Sequence, residues 1–439
     1  MSRLTLLLAV LVIAAPARAE RPERPASPTL LRGAMIHPVS GPSLVGDVLI
    51  GRDGRIQAVG ASLPAPADSR IIDVSGKVIT PGLVDAYTRL GLVGVVAVAG
   101  TKDDDAGGDP VRAAALAADG FNPANVALAV ARAQGLTSVV AAPTGGLVAG
   151  QSTWVDLAGP WGDGVVVPGS VAMHLALGEG AVPQTGASRG ALLLAVRELF
   201  DDVRFYRDHK ALFDENRSRT LAASRLDLEA LTPVIEGRLP VAAVVRRASD
   251  ILAFLDLAKS QGFRPIVLGG NEAWMVARRL AAERVTVVIQ PLENLPALFE
   301  SLGSRSDAAA LLHAAGVPVV VSTFHALQYK HDVGTLRQLA GNAVRAGLPW
   351  DAALRAVTLE PATLYGRADI GALEPGRRAN LVVWSGDPFE LSTVAEAVII
   401  EGREVPLRSR HTQLLERYRA LPRRDPPPLP RVLPAGGRP

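Results

Sequence analysis

Val78-Ile79-Thr80-Pro81-Gly82-Leu83-Val84-Asp85-Ala86-Tyr87-Thr88-Arg89-Leu90-Gly91 is the stretch from which the rest of the chain can be read. An apolar run enters Pro81-Gly82 and leaves it as a second short run ending at Arg89. Residues i and i+2 of a strand point to one face, so Tyr87 and Arg89 share a face. A catalytic zinc ion takes neutral imidazole, carboxylate or thiolate and keeps one position open. Tyr87 is a poor ligand unless ionised, and a free phenol has a pKa near ~10. Arg89 is a fixed cation with donors only, and a guanidinium repels a divalent ion.

Upstream, short β-type segments repeat: Gly33 to Ile36, Val45 to Ile50, Ile56 to Gly60 and a strand over Ile71 to Ile79. The Asp53-Gly54 turn between two apolar runs predicts a hairpin. Downstream, Thr137 to Ala142, Pro240 to Val245, Pro265 to Leu268, Val285 to Ile289 and Val317 to Ser322 read as strands. Helix-type segments Ser249 to Gln261, Glu272 to Glu283 and Trp350 to Val357 alternate with them. Such alternation predicts a parallel sheet. The length from 81 to 369 suits a (β/α)8 barrel.

The opening stretch resembles the start of the barrel in the amidohydrolase superfamily, where the motif PGLIDxHxH supplies two zinc-ligating histidines. Ala131 to Val139 is similar to that superfamily's "aLagGvTTv" segment, and Gly371 to Trp384 to its "GSLEPGKDADLVV" segment. Gly150-Gln151-Ser152 and Ala176-Leu177-Gly178-Glu179 resemble segments of the imidazolonepropionase-like and Xaa-Pro dipeptidase-like subgroup. Ala340 to Leu348 and Ala352 to Ala362 are similar to the segment after the last barrel strand. The resemblance implies a (β/α)8 TIM-like barrel over 81–369. It also implies a small discontinuous β-sandwich built from 31–80 plus 370–410, with Val394 to Val405 among its strands.

The resemblance also places the metal ligands, and this chain departs from the pattern at each of them. The paired histidines are replaced by Tyr87 and Arg89. The metal histidine after the "PV" of Pro240-Val241 aligns with Val244, and a second histidine with Arg246. The histidine of "leHgteA" aligns with Gly269, and the aspartate after the eighth strand with Phe324. That aspartate would also be the base taking a proton from metal-bound water, which Phe324 cannot do. The family implies zinc; this chain is expected to hold no metal and no other cofactor. Weaker candidates for a rebuilt site are His174, His325, His331 and Asp332. Arg89 and Arg246 are expected to face one pocket, gripping a carboxylate or phosphate or pairing with a nearby acid such as Asp85 or Asp250. Asp103-Asp104-Asp105 reads as a solvated loop, and Pro143-Thr144-Gly145-Gly146 as a turn.

The chain has 439 residues, 48% hydrophobic, with a formal net charge of +3 and no cysteine. Disulfides, thiol nucleophiles and Cys-ligated metals are thereby excluded. No basic cluster interleaves with aromatics, so nucleic acid is not an expected partner. Arg3, the run Leu4 to Ala15 and Ala17-Arg18-Ala19 predict a signal peptide over 1–19, cleaved after Ala19. That run is too short for a bilayer, which takes about 20 residues, so no span is expected in the mature form and the expected location is periplasmic or secreted. Residues 20–30 read as a flexible segment and 420–439 as a disordered Pro- and Arg-rich tail.

Three functions are compatible with these residues. The first is a non-hydrolytic amidohydrolase homologue, a partner subunit of an active paralogue in a homo- or hetero-oligomer. The second is a hydrolase of carbon–nitrogen bonds, in dipeptides or cyclic amides, with a rearranged site. The third is a periplasmic binder of an anionic small molecule. Fold alone does not choose among them.

Overall fold

The computed structural model describes residues 27–95, 98–159, 165–185, 188–324 and 334–419. The signal peptide and tail read from the sequence, and most of the N-terminal flexible segment, lie outside the described residues. That segment ends earlier than expected, because the first strand begins at Thr29.

One sheet is assembled from both ends of the chain. Its strands are β1 (Thr29–Ile36), β2 (Leu44–Ile50), β3 (Ile56–Gly60), β4 (Arg70–Asp73), β5 (Val78–Pro81), β14 (Leu381–Trp384), β15 (Ala395–Ile400) and β16 (Arg403–Val405). The order is β16-β15-β14-β5-β1-β2-β3, with β4 beside β1. The single strand expected over 71–79 is two strands. β1 pairs with β4 through Thr29 to Arg32 and with β5 through Met35 and Ile36. The change of partner occurs at Gly33, where φ is +85° and the register of β1 against β2 shifts. Between β4 and β5 the chain turns at Ser75, whose N–H and hydroxyl both donate to Asp73. Leu31, Ile36, Val48, Ile50, Ile79 and Leu381 are among the residues filling the fold of this sheet.

The second sheet is a nearly closed barrel. Its strands are β6 (Leu83–Thr88), β7 (Leu136–Ala141), β8 (Val148–Asp156), β9 (Val166–Ala176), β10 (Val241–Val245), β11 (Pro265–Gly269), β12 (Thr286–Ile289) and β13 (Val319–Val321), in that order around the wall. A uniformly parallel barrel was expected, but β8 runs antiparallel to both β7 and β9. The reason is local: six residues join β7 to β8, too few for a crossover helix, and the turn there has positive φ at Gly145 and Gly146. Helices Arg189–Asp208 and Arg225–Ile235 bridge β9 to β10, and Ala248–Gln261 bridges β10 to β11. The last of these ends on left-handed Gly262. The helix expected over 272–283 is a 3-10 turn, Ala273–Val276, followed by a short helix, Ala277–Ala282. Among the described residues no helix is long and apolar enough to cross a membrane.

Strand alternation separates two cores. Val84, Ala86, Val140, Ala172, Ala242, Ile266, Leu268, Val288 and Val320 fill the barrel interior. Their sequence neighbours Leu83, Val139, Ala243, Val267, Val287 and Val321 pack in the separate core that also holds the helices. β13 and β6 are joined by side chains: Ser322 and Thr323 donate hydroxyls to buried Asp85, and the Tyr87 N–H donates to Ser322 Oγ at 3.1 Å. The two sheets meet at Gly82 and Gly135. The Gly82 N–H donates to Asn380 O at 2.9 Å. Gly135, at φ +87°, lies against the Trp384 indole, which donates to Thr80 Oγ1 at 2.9 Å.

Candidate functional site

The C-terminal ends of the barrel strands gather most of the residues singled out in the sequence. Tyr87 is the last residue but one of β6, His174 lies on β9 and Val244 on β10. Arg246 follows β10, Gly269 ends β11 and Phe324 comes just after β13. The Tyr87 ring is the hub. It stacks on the His174 ring with centroids 5.4 Å apart, and the Phe324 ring meets it edge-on at 5.2 Å. Phe324 holds this position with φ +54°, uncommon for a non-glycine residue. Val244 packs against the same cluster.

His174 is 3% exposed, and neither ring nitrogen has a hydrogen-bond partner. Burial lowers its pKa to about 3, so the ring is neutral near pH 7. Burial likewise pushes the Tyr87 phenol up; Arg89 and Arg246 pull the other way and Asp104 adds to the rise. Both guanidiniums thus act electrostatically on this one ring.

Their partners differ from those expected. Arg89 Nη1 pairs with Asp104 Oδ2 at 2.9 Å, and Thr144 donates to the same oxygen at 3.1 Å. Asp104 is thus buried rather than part of a solvated run, although its neighbours Asp103 and Asp105 are exposed. Arg246 Nη1 pairs with Glu300 Oε1 at 2.9 Å, and its Nε lies 4.0 Å from Glu293. Gly269 makes room for this: a Cβ there would stand 3.2 Å from Arg246 Cγ. Asp85, one partner weighed for the arginines, serves Ser322 and Thr323 instead. Asp250, the other, serves Arg189 and Arg247, at 2.8 and 2.6 Å.

Glu300 is the acid that the sequence did not reveal. It is 1% exposed and accepts from Arg246 and from the Glu179 N–H, while Arg189 lies 3.5 Å away. One carboxylate thereby ties the loops after β9, β10 and β12 together. Glu293, on the same loop, has its pKa raised by burial, with Arg246 opposing. The legible signal was Glu179 in the Ala176 to Glu179 segment; nothing around Glu300 marked it.

The donor set does not fit zinc. His174 supplies one imidazole, but Tyr87 is a buried phenol, Phe324 and Val244 have no donor atoms, and the two guanidiniums repel a cation. Among the described residues, no group of three His, Asp or Glu side chains is placed to hold a metal ion. His325, His331 and Asp332 lie outside the described residues.

The amidohydrolase family model matches residues 209–405. An amidohydrolase structure from Thermotoga maritima MSB8 superposes with a TM-score of 0.79 at 30% identity, covering 87% of this chain and 100% of that one. A prolidase complexed with N-methylphosphonate-L-proline shares the fold, with a TM-score of 0.53 at 16% identity over 86% of this chain and 99% of that one. "Amidohydrolase tasK" of Hapsidospora irregularis is 25% identical over 425 residues, 85% of this chain. The chain spans only 43% of the length of that curated relative. A barrel carrying a sheet from both chain ends, with candidate residues at the strand C-termini, is the scaffold of a hydrolase class. The chain belongs to the amidohydrolase superfamily.

Proposed function

We propose that this chain is a non-hydrolytic amidohydrolase homologue that acts as a subunit beside a metal-bearing paralogue, outside the cytoplasm. The observation that carries the reading is the ring cluster in which Tyr87 and Phe324, at positions where the resemblance puts a ligand and the base, close on His174. Three aromatic rings and two carboxylate-paired arginines offer neither a cation cage nor a base for water. His174 is buried away from solvent, so it is not placed to take a proton from water in place of the missing aspartate. The anion-binding reading has less support, because Arg89 and Arg246 each already face a carboxylate. The signal peptide read from the sequence over 1–19 is what favours that location.

The test is metal content of the mature protein, purified without a His tag after growth with zinc, together with assays on dipeptides and cyclic amides. The expectation is less than about a tenth of an equivalent of metal and no hydrolysis. About one or two equivalents, or hydrolysis that disappears in His325→Ala or His331→Ala, would overturn the reading in favour of a rearranged site. N-terminal sequencing of protein recovered from the periplasm should begin at Glu20.

A further inference from the structure

The loop after β12 is folded inside out. Over Pro291 to Leu302 the only charged residues are Glu293 and Glu300, and both turn inward: Glu300 is buried and Glu293 faces Arg246. The large apolar side chains turn outward. Phe299 is 83% exposed, Leu295 72% and Leu302 63%, with Leu292 and Leu298 also exposed. Met275 extends the patch: Gly303, next to Leu302, packs against the Met275 methyl, and the neighbouring Trp274 indole donates to Gly303 O at 2.9 Å. A soluble surface does not normally present apolar side chains while burying the acids between them. The six side chains offer on the order of 600 Å² of apolar surface, the upper end of what a lone chain leaves exposed.

We propose that Met275, Leu292, Leu295, Leu298, Phe299 and Leu302 form the face through which a second copy of this chain docks about a two-fold axis. An isologous interface sets a patch against itself, so it must be self-complementary. A charged face would meet its own charge; these six side chains carry none, and the exposed Arg278 and Arg305 lie beside the Met275 end. Its area supplies about three-quarters of the ~800 Å² per partner typical of a stable interface. Docking would also fix the loop whose Glu293 and Glu300 face Arg246 at the barrel end. The inference does not depend on whether the chain binds metal.

Sedimentation velocity of the full chain across the micromolar range tests it. The expected result is a reversible species of twice the single-chain mass. Leu295→Asp/Phe299→Asp should weaken self-association about a hundredfold or more, with an unchanged far-ultraviolet circular dichroism spectrum. Phe299→Ser alone should give a smaller shift in the same direction. A wild-type chain that stays monomeric throughout would overturn the proposal, as would a dimer that neither variant weakens. A monomer that uses this face only for a different, metal-bearing chain or for phospholipid vesicles would equally overturn it.

Discussion

His174 is a buried base with no hydrogen-bond partner, and its chemistry sets a pH dependence. Its folded pKa is about 3, against 6.5 for an ordinary histidine. As pH falls below 6.5 the unfolded chain takes up the proton first, so stability present above that pH is lost progressively down to about 3. The contribution is at most about 5 kcal/mol. His174→Leu should remove it and flatten the acid limb; urea unfolding of both proteins at neutral pH and near pH 4 measures the difference. Parallel losses in the two would place the acid lability elsewhere. At Glu300 the expectation has the opposite sign. Glu300→Gln leaves Arg246 without its close counter-ion in a largely buried setting, which should cost about 3–5 kcal/mol in chemical denaturation. A cost under about 1 kcal/mol would mean that the ion pair behaves as an exposed one.

At the scale of elements, local chemistry explains where the reading from sequence succeeded. The Asp53-Gly54 turn between β2 and β3 was legible because the turn and the apolar runs beside it carry their own signatures. β8 and β9 were not: the Gly150-Gln151-Ser152 segment inside β8 was noticed only as a resemblance, and Pro168 and Gly169 interrupt the apolar pattern of β9. The split of β4 from β5 was missed because Asp73-Val74-Ser75 keeps a strand-like alternation of polar and apolar residues into the turn. Gly135 shows what a motif glycine does physically. Its φ is +87° and a side chain there would overlap the Trp384 indole. Gly135→Ala should therefore cost about 2 kcal/mol or more, read as a lower thermal midpoint. An unchanged midpoint would mean that Trp384 can move aside freely.

For the whole molecule, the joint between the sheets predicts shared unfolding. β5 runs through Gly82 into β6, and Trp384 is fully buried between them. Arg337, on the helix Leu336–Arg345, donates to Pro388 O at 3.0 Å and Glu390 O at 2.7 Å, tying the barrel to the chain beyond β14. Calorimetry should show one cooperative transition, and Gly135→Ala should shift all of it; two separable transitions would show that the sheets are stable independently.

The sequence by itself determined the architecture and the candidate positions. Period-two apolar runs, the Asp-Gly turn and the Pro81-Gly82 passage act over a few residues, and the resemblance to amidohydrolase motifs picked out Tyr87, Arg89, Val244, Arg246, Gly269 and Phe324. Tertiary structure alone decided what those positions meet. Arg89 finds Asp104 15 residues away and Arg246 finds Glu300 54 residues away; the Tyr87 ring lies between His174 and Phe324. The inward acids and outward leucines after β12 depend on the same closure. Such contacts are set when the barrel brings distant loops to one end, and pairing at that range has no local pattern to read.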